Sequence, residues 1–282
     1  MDVSLPKRIQ EAFPKLSKKH RMLAEHLSKN YDRAVFQTAR EIAGEIGVSE
    51  ATVIRFATAL GYEGYPDMQS SLVDLLRNRI STVDRLQHSL RSTKEDILSS
   101  VMNRDILNIR RTIDEISGED FHAAVEKILA ARHIYILALR STVSVGFFLN
   151  FYLHTLLKNS RLLDGAGTFF EDLIGVGPDD LVIGMSFARY TRQTVEGLKL
   201  AKEKGAATIC ITDADTSPLV PFSDIVFTAR SDSASFIDSF TAPLSLVNAI
   251  LIAIGNKRPQ KMTQALRDLE PVWEKYQVYY KE

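Results

Sequence analysis

The chain has 282 residues, 45% of them hydrophobic and 25% charged, with acidic and basic side chains in equal number. That composition is ordinary for a globular protein, long enough for two domains, and it excludes disordered and collagenous polymers. No apolar run reaches the ~18 residues that a membrane helix needs and the start MDVSLPKRIQEAF has no apolar leader, so the expectation is a cytoplasmic chain with no membrane partner.

The net charge of zero conceals a mild polarity. Through Arg111 there are 18 Lys and Arg against 14 Asp and Glu, and beyond it 17 against 21. A basic front permits a nucleic-acid partner without requiring one. The single cysteine, Cys210, lies inside ATICIT and reads as a small buried hydrophobe rather than a nucleophile. Six scattered histidines lack the paired spacing of a zinc site, so no metal and no cofactor are expected.

The first 79 residues read as helical throughout, an all-α N-terminal domain. In KKHRMLAEHLSKN the three-to-four residue spacing puts Met22, Leu23, His26 and Leu27 on one face. The segment TAREIAGEIGVSEATVIRFATALG carries the most information: Ala43, Gly47 and Val53 stand where two short helices cross at a tight bend. The small residue allows the approach, the glycine takes a positive φ, and the branched residue packs the second helix back. Ile42, Ile46, Val48, either Ile54 or Phe56, and Leu60 fill the apolar positions between them.

This pattern predicts a helix-turn-helix. Ser49 is the expected N-cap of a second helix over Glu50 to Leu60, whose first residues would face the major groove. Thr52 and Arg55 are the leading candidates for base contact, with Ser49 and Glu50 beside them: Arg grips guanine with two hydrogen bonds and Thr meets a thymine methyl. Lys18, Lys19 and Arg40 suit phosphate contacts, which position without specifying. The bland alternative is a helical hairpin in which the glycine and alanine are packing devices only.

Residues 80–118 are expected to form a helical linker around EDILSSVMNRDILNIRRTIDEIS, a helix able to pair with its copy in a second subunit. After it the period changes. HIYILAL, SRLLD, DLVIGMS, AATICIT and DIVFT are short, continuously apolar runs separated by segments long enough for crossover helices. Such runs are buried on both faces, which predicts a doubly wound α/β domain over 119–282 with a five-stranded parallel sheet.

Ligands of such a sheet lie beyond the C-terminal ends of its strands, where helix N-termini present free amides. Two turns there are polar. LALRSTVSVG brings Arg140, Ser141, Thr142 and Ser144, and SFARYT brings Ser186, Arg189, Tyr190 and Thr191.

A helix-turn-helix reading AGEIGVSEATVIRFATALGYEGYPD, followed by SFARYTRQTVEGLKLAKEKGAATICITDADTSPL, resembles the RpiR-type bacterial transcriptional regulators over nearly the whole chain. The resemblance implies a DNA-binding domain joined to a sugar isomerase (SIS) domain that senses a phosphosugar. It further implies double-stranded operator DNA as partner, a homodimer or homotetramer, and control of carbohydrate metabolism or transport genes. The SIS pattern S-x-S-G-x-T is half kept: Ser186 and Thr191 match the outer positions, while Ala188 and Arg189 replace the inner serine and glycine. In the first turn Ala138 and Arg140 stand where the family usually has glycine. Two outcomes compete: either Arg189 grips a phosphate or carboxylate directly, or Arg189 and Tyr190 fill the cleft. The expected effector is a sugar phosphate or an acidic sugar derivative.

In DSASFIDSFTAPLSLVNAILIAI, the residues Phe240, Leu244, Val247 and Leu251 share a face suited to core or dimer contact, and Ser235 and Asp238 are placed at the cleft rim. Trp273 reads as a packing anchor. The alternative function, a sugar-phosphate isomerase with appended helices, requires a general base. His154 and Glu171 are the candidates, and neither lies in a motif that demands the role; the expectation is no catalysis.

Overall fold

The computed structural model describes residues 5–35, 37–76, 82–92, 96–233 and 236–280. The chain divides into two compact units, Met1–Ser92 and Thr93–Glu282. The expected domain edge at Arg79 and Ile80 lies outside the described residues, as does Ser235.

The first unit is helical: α1 (Leu5–Ala12), α2 (Lys18–Lys29), α3 (Tyr31–Ala34), α4 (Ala39–Ile46), α5 (Glu50–Ala59), α6 (Tyr65–Leu76) and α7 (Thr82–Ser92). Its core gathers Leu5, Leu23, Leu27, Ile42, Val53, Phe56, Met68 and Leu72. Met22 is 41% exposed rather than in that core. The buried stripe of α2 is Leu23, Ala24 and Leu27, which turns Met22 a quarter of a helical circuit away from it.

Helix α4 opens on a full capping box, in which the Thr38 side chain accepts from the Glu41 amide and the Glu41 carboxylate accepts from the Thr38 amide. It ends where Gly47 takes φ +74° and donates its amide to the Ala43 carbonyl, which also accepts from Val48. Phe56 is fully buried and Ile54 is 43% exposed, so Phe56 is the residue that holds α5 to the core. Ser49 occupies the N-cap position of α5 without making a side-chain cap bond; its Oγ pairs instead with Thr52 Oγ1 at 2.8 Å.

The second unit contains α8 (Ile97–Glu115), α9 (Gly118–Ala130), β1 (Ile134–Ala138), α10 (Val143–Leu157), β2 (Ser160–Leu163), α11 (Phe169–Ile174), β3 (Leu181–Met185), α12 (Arg192–Glu203), β4 (Ala207–Thr212), β5 (Ile225–Thr228), α13 (Thr241–Lys257) and α14 (Pro259–Lys275). All strand pairings are parallel, in the order β2-β1-β3-β4-β5. Alternate residues serve two cores. Ile134, Ile136 and Ala138 of β1 join α9, α10 and α13 on one face, while Leu137 and Leu139 join α11 and α12 on the other. Val247 is fully buried, and Phe240, Leu244 and Leu251 pack at the edge of the first of these cores.

The expected linker is in part a domain helix. Along α8, Asp105, Asn108, Thr112 and Glu115 bond to the connection between β5 and α13, so α8 belongs to the second unit rather than serving as a free connector. Trp273 is half-buried and meets Tyr279 edge-on at 5.4 Å. Met262, 5% exposed, is the residue that anchors α14 to the core.

Two glycines separate conformational from steric demand. A Cβ at Gly47 would meet nothing within 4 Å, so only its positive φ is at stake. At Gly146 a Cβ would come within 2.4 Å of Ala138 Cβ and 3.0 Å of Leu162 Cδ1. Gly47→Ala is expected to cost about 1 kcal/mol, and Gly146→Ala ~2–3 kcal/mol, because α10 must back away from a rigid strand. Denaturant unfolding of each full-length variant measures this; equal losses would show that the approach of α10 to β1 is soft.

Candidate functional site

In the first unit the turn of Gly47, Val48 and Ser49 sets α5 against α4, leaving one face of α5 bare. Ser49, Glu50, Ala51, Ile54, Arg55 and Thr58 are exposed along it. Arg55 is therefore presented as expected. Thr52 is not: it is 6% exposed and its hydroxyl is engaged by Ser49, so Thr52 braces the start of the helix from within. Ala51, Ile54 and Thr58 share the exposed face and were missed, because an exposed isoleucine reads as core when only its periodicity is considered.

Lys18 and Lys19 are exposed in the first turn of α2 and Arg40 in the first turn of α4. Cations at the positive end of a helix are unfavourable for the helix itself, which makes these positions suited to an external anion. His20 lies beside them, its ring 5.5 Å from that of Phe56. Burial, and then the charge of Arg55, hold its imidazole below the usual range, so His20 is not a further cation at neutral pH.

In the second unit the two polar turns follow the neighbouring strands β1 and β3, paired with Ala138 opposite Met185. Helices α10 and α12 leave these strands to opposite faces of the sheet, which makes this the switch point where doubly wound sheets place a ligand crevice. Both helices lack acidic residues in their first turns, so the positive ends of their dipoles meet no carboxylate of their own.

The arginines carry the most telling geometry. Arg140 has φ +58° and Arg189 φ +66°, the left-handed conformation that glycine adopts at no cost. Both turns thus keep a glycine-like backbone while adding an exposed guanidinium each. Ser141 is exposed and Ser144 Oγ donates to the Ser141 carbonyl at 2.8 Å. Thr142 is 7% exposed, and its hydroxyl donates to the Leu139 carbonyl at 2.7 Å, with the Met185 carbonyl at 3.4 Å. It holds the first turn against the end of β3 instead of presenting itself to a ligand.

The second turn is internally braced. Ser186, 2% exposed, accepts from the Thr191 amide at 3.0 Å. Its carbonyl accepts from Thr212 Oγ1 at 2.8 Å, and the same hydroxyl lies 2.8 Å from Ser217 Oγ. Tyr190 packs half-buried on the α11 and α12 face, so its ring does not occupy the crevice. Thr212, Asp213 and Ser217, all buried after β4, were missed; the polar run TDADTS directly after a buried strand was their signal. Asp238 is half-buried.

Of the two base candidates, His154 is placed away from the turns. His154 lies in the last turn of α10, its Nδ1 3.3 Å from the carbonyl of Ser160 at the start of β2. That is the opposite edge of the sheet from the turns. Glu171 is exposed in the first turn of α11. Cys210 is buried, and burial raises its thiol to about 11, as befits a packing residue.

Comparison with known proteins accounts for both units. Residues 3–79 match the helix-turn-helix domain of the rpiR family and residues 127–253 match the SIS domain. The HTH-type transcriptional regulator HexR of Escherichia coli is 26% identical over 76% of this chain and 74% of its own. HexR of Pseudomonas aeruginosa is 27% identical over 77% and 75%. Among solved structures, the sugar isomerase domain of an RpiR transcription factor from Sphaerobacter thermophilus is 30% identical, with a TM-score of 0.61, covering 63% of this chain and 99% of that one. NanR of Vibrio vulnificus, solved with ManNAc-6P, shares the fold over 96% of this chain and 98% of its own, at 20% identity and a TM-score of 0.61. The chain belongs to the RpiR family of transcriptional regulators, with a helix-turn-helix region followed by a SIS domain.

Proposed function

We propose that this regulator binds a sugar derivative carrying phosphate or carboxylate at the two turns after β1 and β3, and that binding changes its affinity for operator DNA near carbohydrate metabolism or transport genes. The observation that carries the reading is the left-handed backbone of Arg140 and Arg189. Each such residue costs roughly 1–2 kcal/mol where glycine would cost none. A strained arginine at the mouth of an anion-binding crevice is accounted for when its guanidinium contacts the anion. Ser141, Ser186, Tyr190 and Thr191 complete the neighbourhood, with Thr142 and Thr212 shaping it from below. The solved complex of NanR with ManNAc-6P supports a phosphosugar on this fold. An isomerase would need a base within hydrogen-bond reach of its substrate, and His154 ends α10 at the other edge of the sheet.

On the DNA side, Arg55, Ser49 and Glu50 are assigned to base edges and Lys18, Lys19 and Arg40 to phosphates. Palindromic operators are read by two-fold dimers. A homodimer is supported by the bare apolar stripe of α8, where Leu98 is 67%, Met102 59% and Ile113 68% exposed. A cytoplasmic location follows from the same role.

Two measurements test this. Arg55→Ala should weaken binding to DNA flanking the gene by roughly tenfold or more, the ~1–3 kcal/mol of a base contact, with its melting temperature unchanged. Lys19→Ala should weaken all sequences alike and reduce the salt slope by about one. Equal binding by the Arg55→Ala protein would remove α5 from the groove.

For the effector, thermal-shift screening of sugar phosphates and sugar acids should yield a ligand whose shift is largely lost in Arg189→Gly. That substitution keeps the positive φ while deleting a charge-assisted contact worth ~1.5–3 kcal/mol. An undiminished shift in the variant would take Arg189 out of the site.

A further inference from the structure

The connection between β5 and α13 touches both the second turn and α8. At one end the ring of Phe240 lies 5.2 Å from that of Phe187, which is buried in the second turn beside Ser186. At the other end its described stretches, 229–233 and 236–240, together with Thr241 at the start of α13, are bonded along one stripe of α8. Asp105 accepts from Ser239 Oγ at 2.5 Å and from Thr241 Oγ1 at 2.9 Å. Asn108 donates to the Asp232 carbonyl at 2.7 Å, and Thr112 Oγ1 accepts from the Arg230 amide at 2.9 Å. Arg230 Nε donates to the Glu115 carboxylate at 2.9 Å.

Residues 105, 108, 112 and 115 recur at steps of three and four, so they form a single face of the helix. Polar residues on a helix commonly face water. Here Asn108 is 1% and Thr112 4% exposed, while the apolar Leu98, Met102 and Ile113 on the adjacent stripe are the exposed ones. The polar stripe is thus committed to the connection, and α8 is the element that leads in sequence toward the DNA-binding unit.

We infer that Asp105, Asn108, Thr112 and Glu115 form a polar latch through which the second turn and α8 move together, so that an event at the turn is passed to α8. The inference rests on the reading of the second turn as an effector site, and it names how that site is read out. The physical warrant is a contiguous chain of contacts: turn, Phe187, Phe240, the hydroxyls of Ser239 and Thr241, Asp105. A rearrangement of Phe187 displaces Phe240, and the Asp105 bonds beside it then break or shift.

The test needs no effector, so its failure and the failure of the effector reading are separable. Amide hydrogen exchange is measured on the full-length protein, on Asp105→Ala, and on Phe240→Leu, which perturbs the same chain from its other end. In Asp105→Ala, exchange at 186–192 should rise about tenfold along with that of 97–116, while β1 and β4 stay protected. Reciprocity requires that Phe240→Leu raise exchange within 105–116. Faster exchange confined to α8 and the connection, with 186–192 unchanged in Asp105→Ala, would overturn the latch, as would an unchanged α8 in Phe240→Leu. Should Asp105→Ala lose protection throughout the sheet, Phe240→Leu alone decides by the same criterion.

Discussion

The geometry of the second unit follows from the place where strand order reverses, between β1 and β3. Both strands lie side by side with Ala138 opposite Met185, yet the chain leaves them for opposite faces of the sheet. Each exit must bend sharply within a few residues, and the bend in each case is taken by one residue with positive φ, Arg140 or Arg189. The first exit is also constrained from above, since α10 sits on Ala138 through Gly146 with no room for a methyl group. The crevice is the unavoidable space between two divergent helix N-termini. At both exits the sequence places a guanidinium on a backbone that stays glycine-like.

That choice changes the character of the site. A glycine-rich loop holds an anion by close approach of several amides, each a neutral donor. An arginine donates charge-assisted hydrogen bonds about twice as strong, in a planar fork suited to carboxylate as well as phosphate. Ser186 is buried beneath the turn, where its hydroxyl accepts from the Thr191 amide and its carbonyl from Thr212. The network of Ser186, Thr191, Thr212 and Ser217 holds the turn in shape; Arg189 is the group at its exposed tip.

Much of this was legible in the residues. Strand periodicity, the switch from helical to continuous apolar runs, and the Ala43, Gly47, Val53 spacing each report local physics: burial on two faces, or a left-handed bend between crossing helices. Other features were not. Thr52 was expected at the bases because its spacing from the helix start is right, but spacing does not reveal that Ser49 would turn away from capping and pair with it. Met22 lies about a quarter of a helical circuit beyond the buried stripe, a displacement that a loose three-to-four spacing does not resolve. The positive φ of two arginines has no compositional signal at all and was not anticipated, although both stand where the family usually has glycine. The docking of α8 was hidden for a further reason, since its bonded partners lie 115 or more residues away in sequence.

The inverted character of α8 bears on how a regulator of this kind stays responsive. A helix docked by a broad apolar face would be held by many kcal/mol, far more than one small ligand can redistribute, because allosteric coupling is typically ~1–3 kcal/mol. A helix docked by a few hydrogen bonds is held by ~0.5–1.5 kcal/mol for each neutral one. The partly exposed pair of Glu115 with Arg230 adds about 1 kcal/mol or less. The two bonds that end on the Asp105 carboxylate are worth more, ~1.5–3 kcal/mol each, so the full set exceeds what one ligand redistributes and only a partial loss of it falls in that range. The polar stripe is committed inward while Leu98, Met102 and Ile113 of the apolar stripe are exposed; Ile109 and Ile116 of that stripe are half-buried, Ile116 against the core. On the proposed reading of a two-fold dimer, a shift of α8 is what an effector would pass on to operator binding.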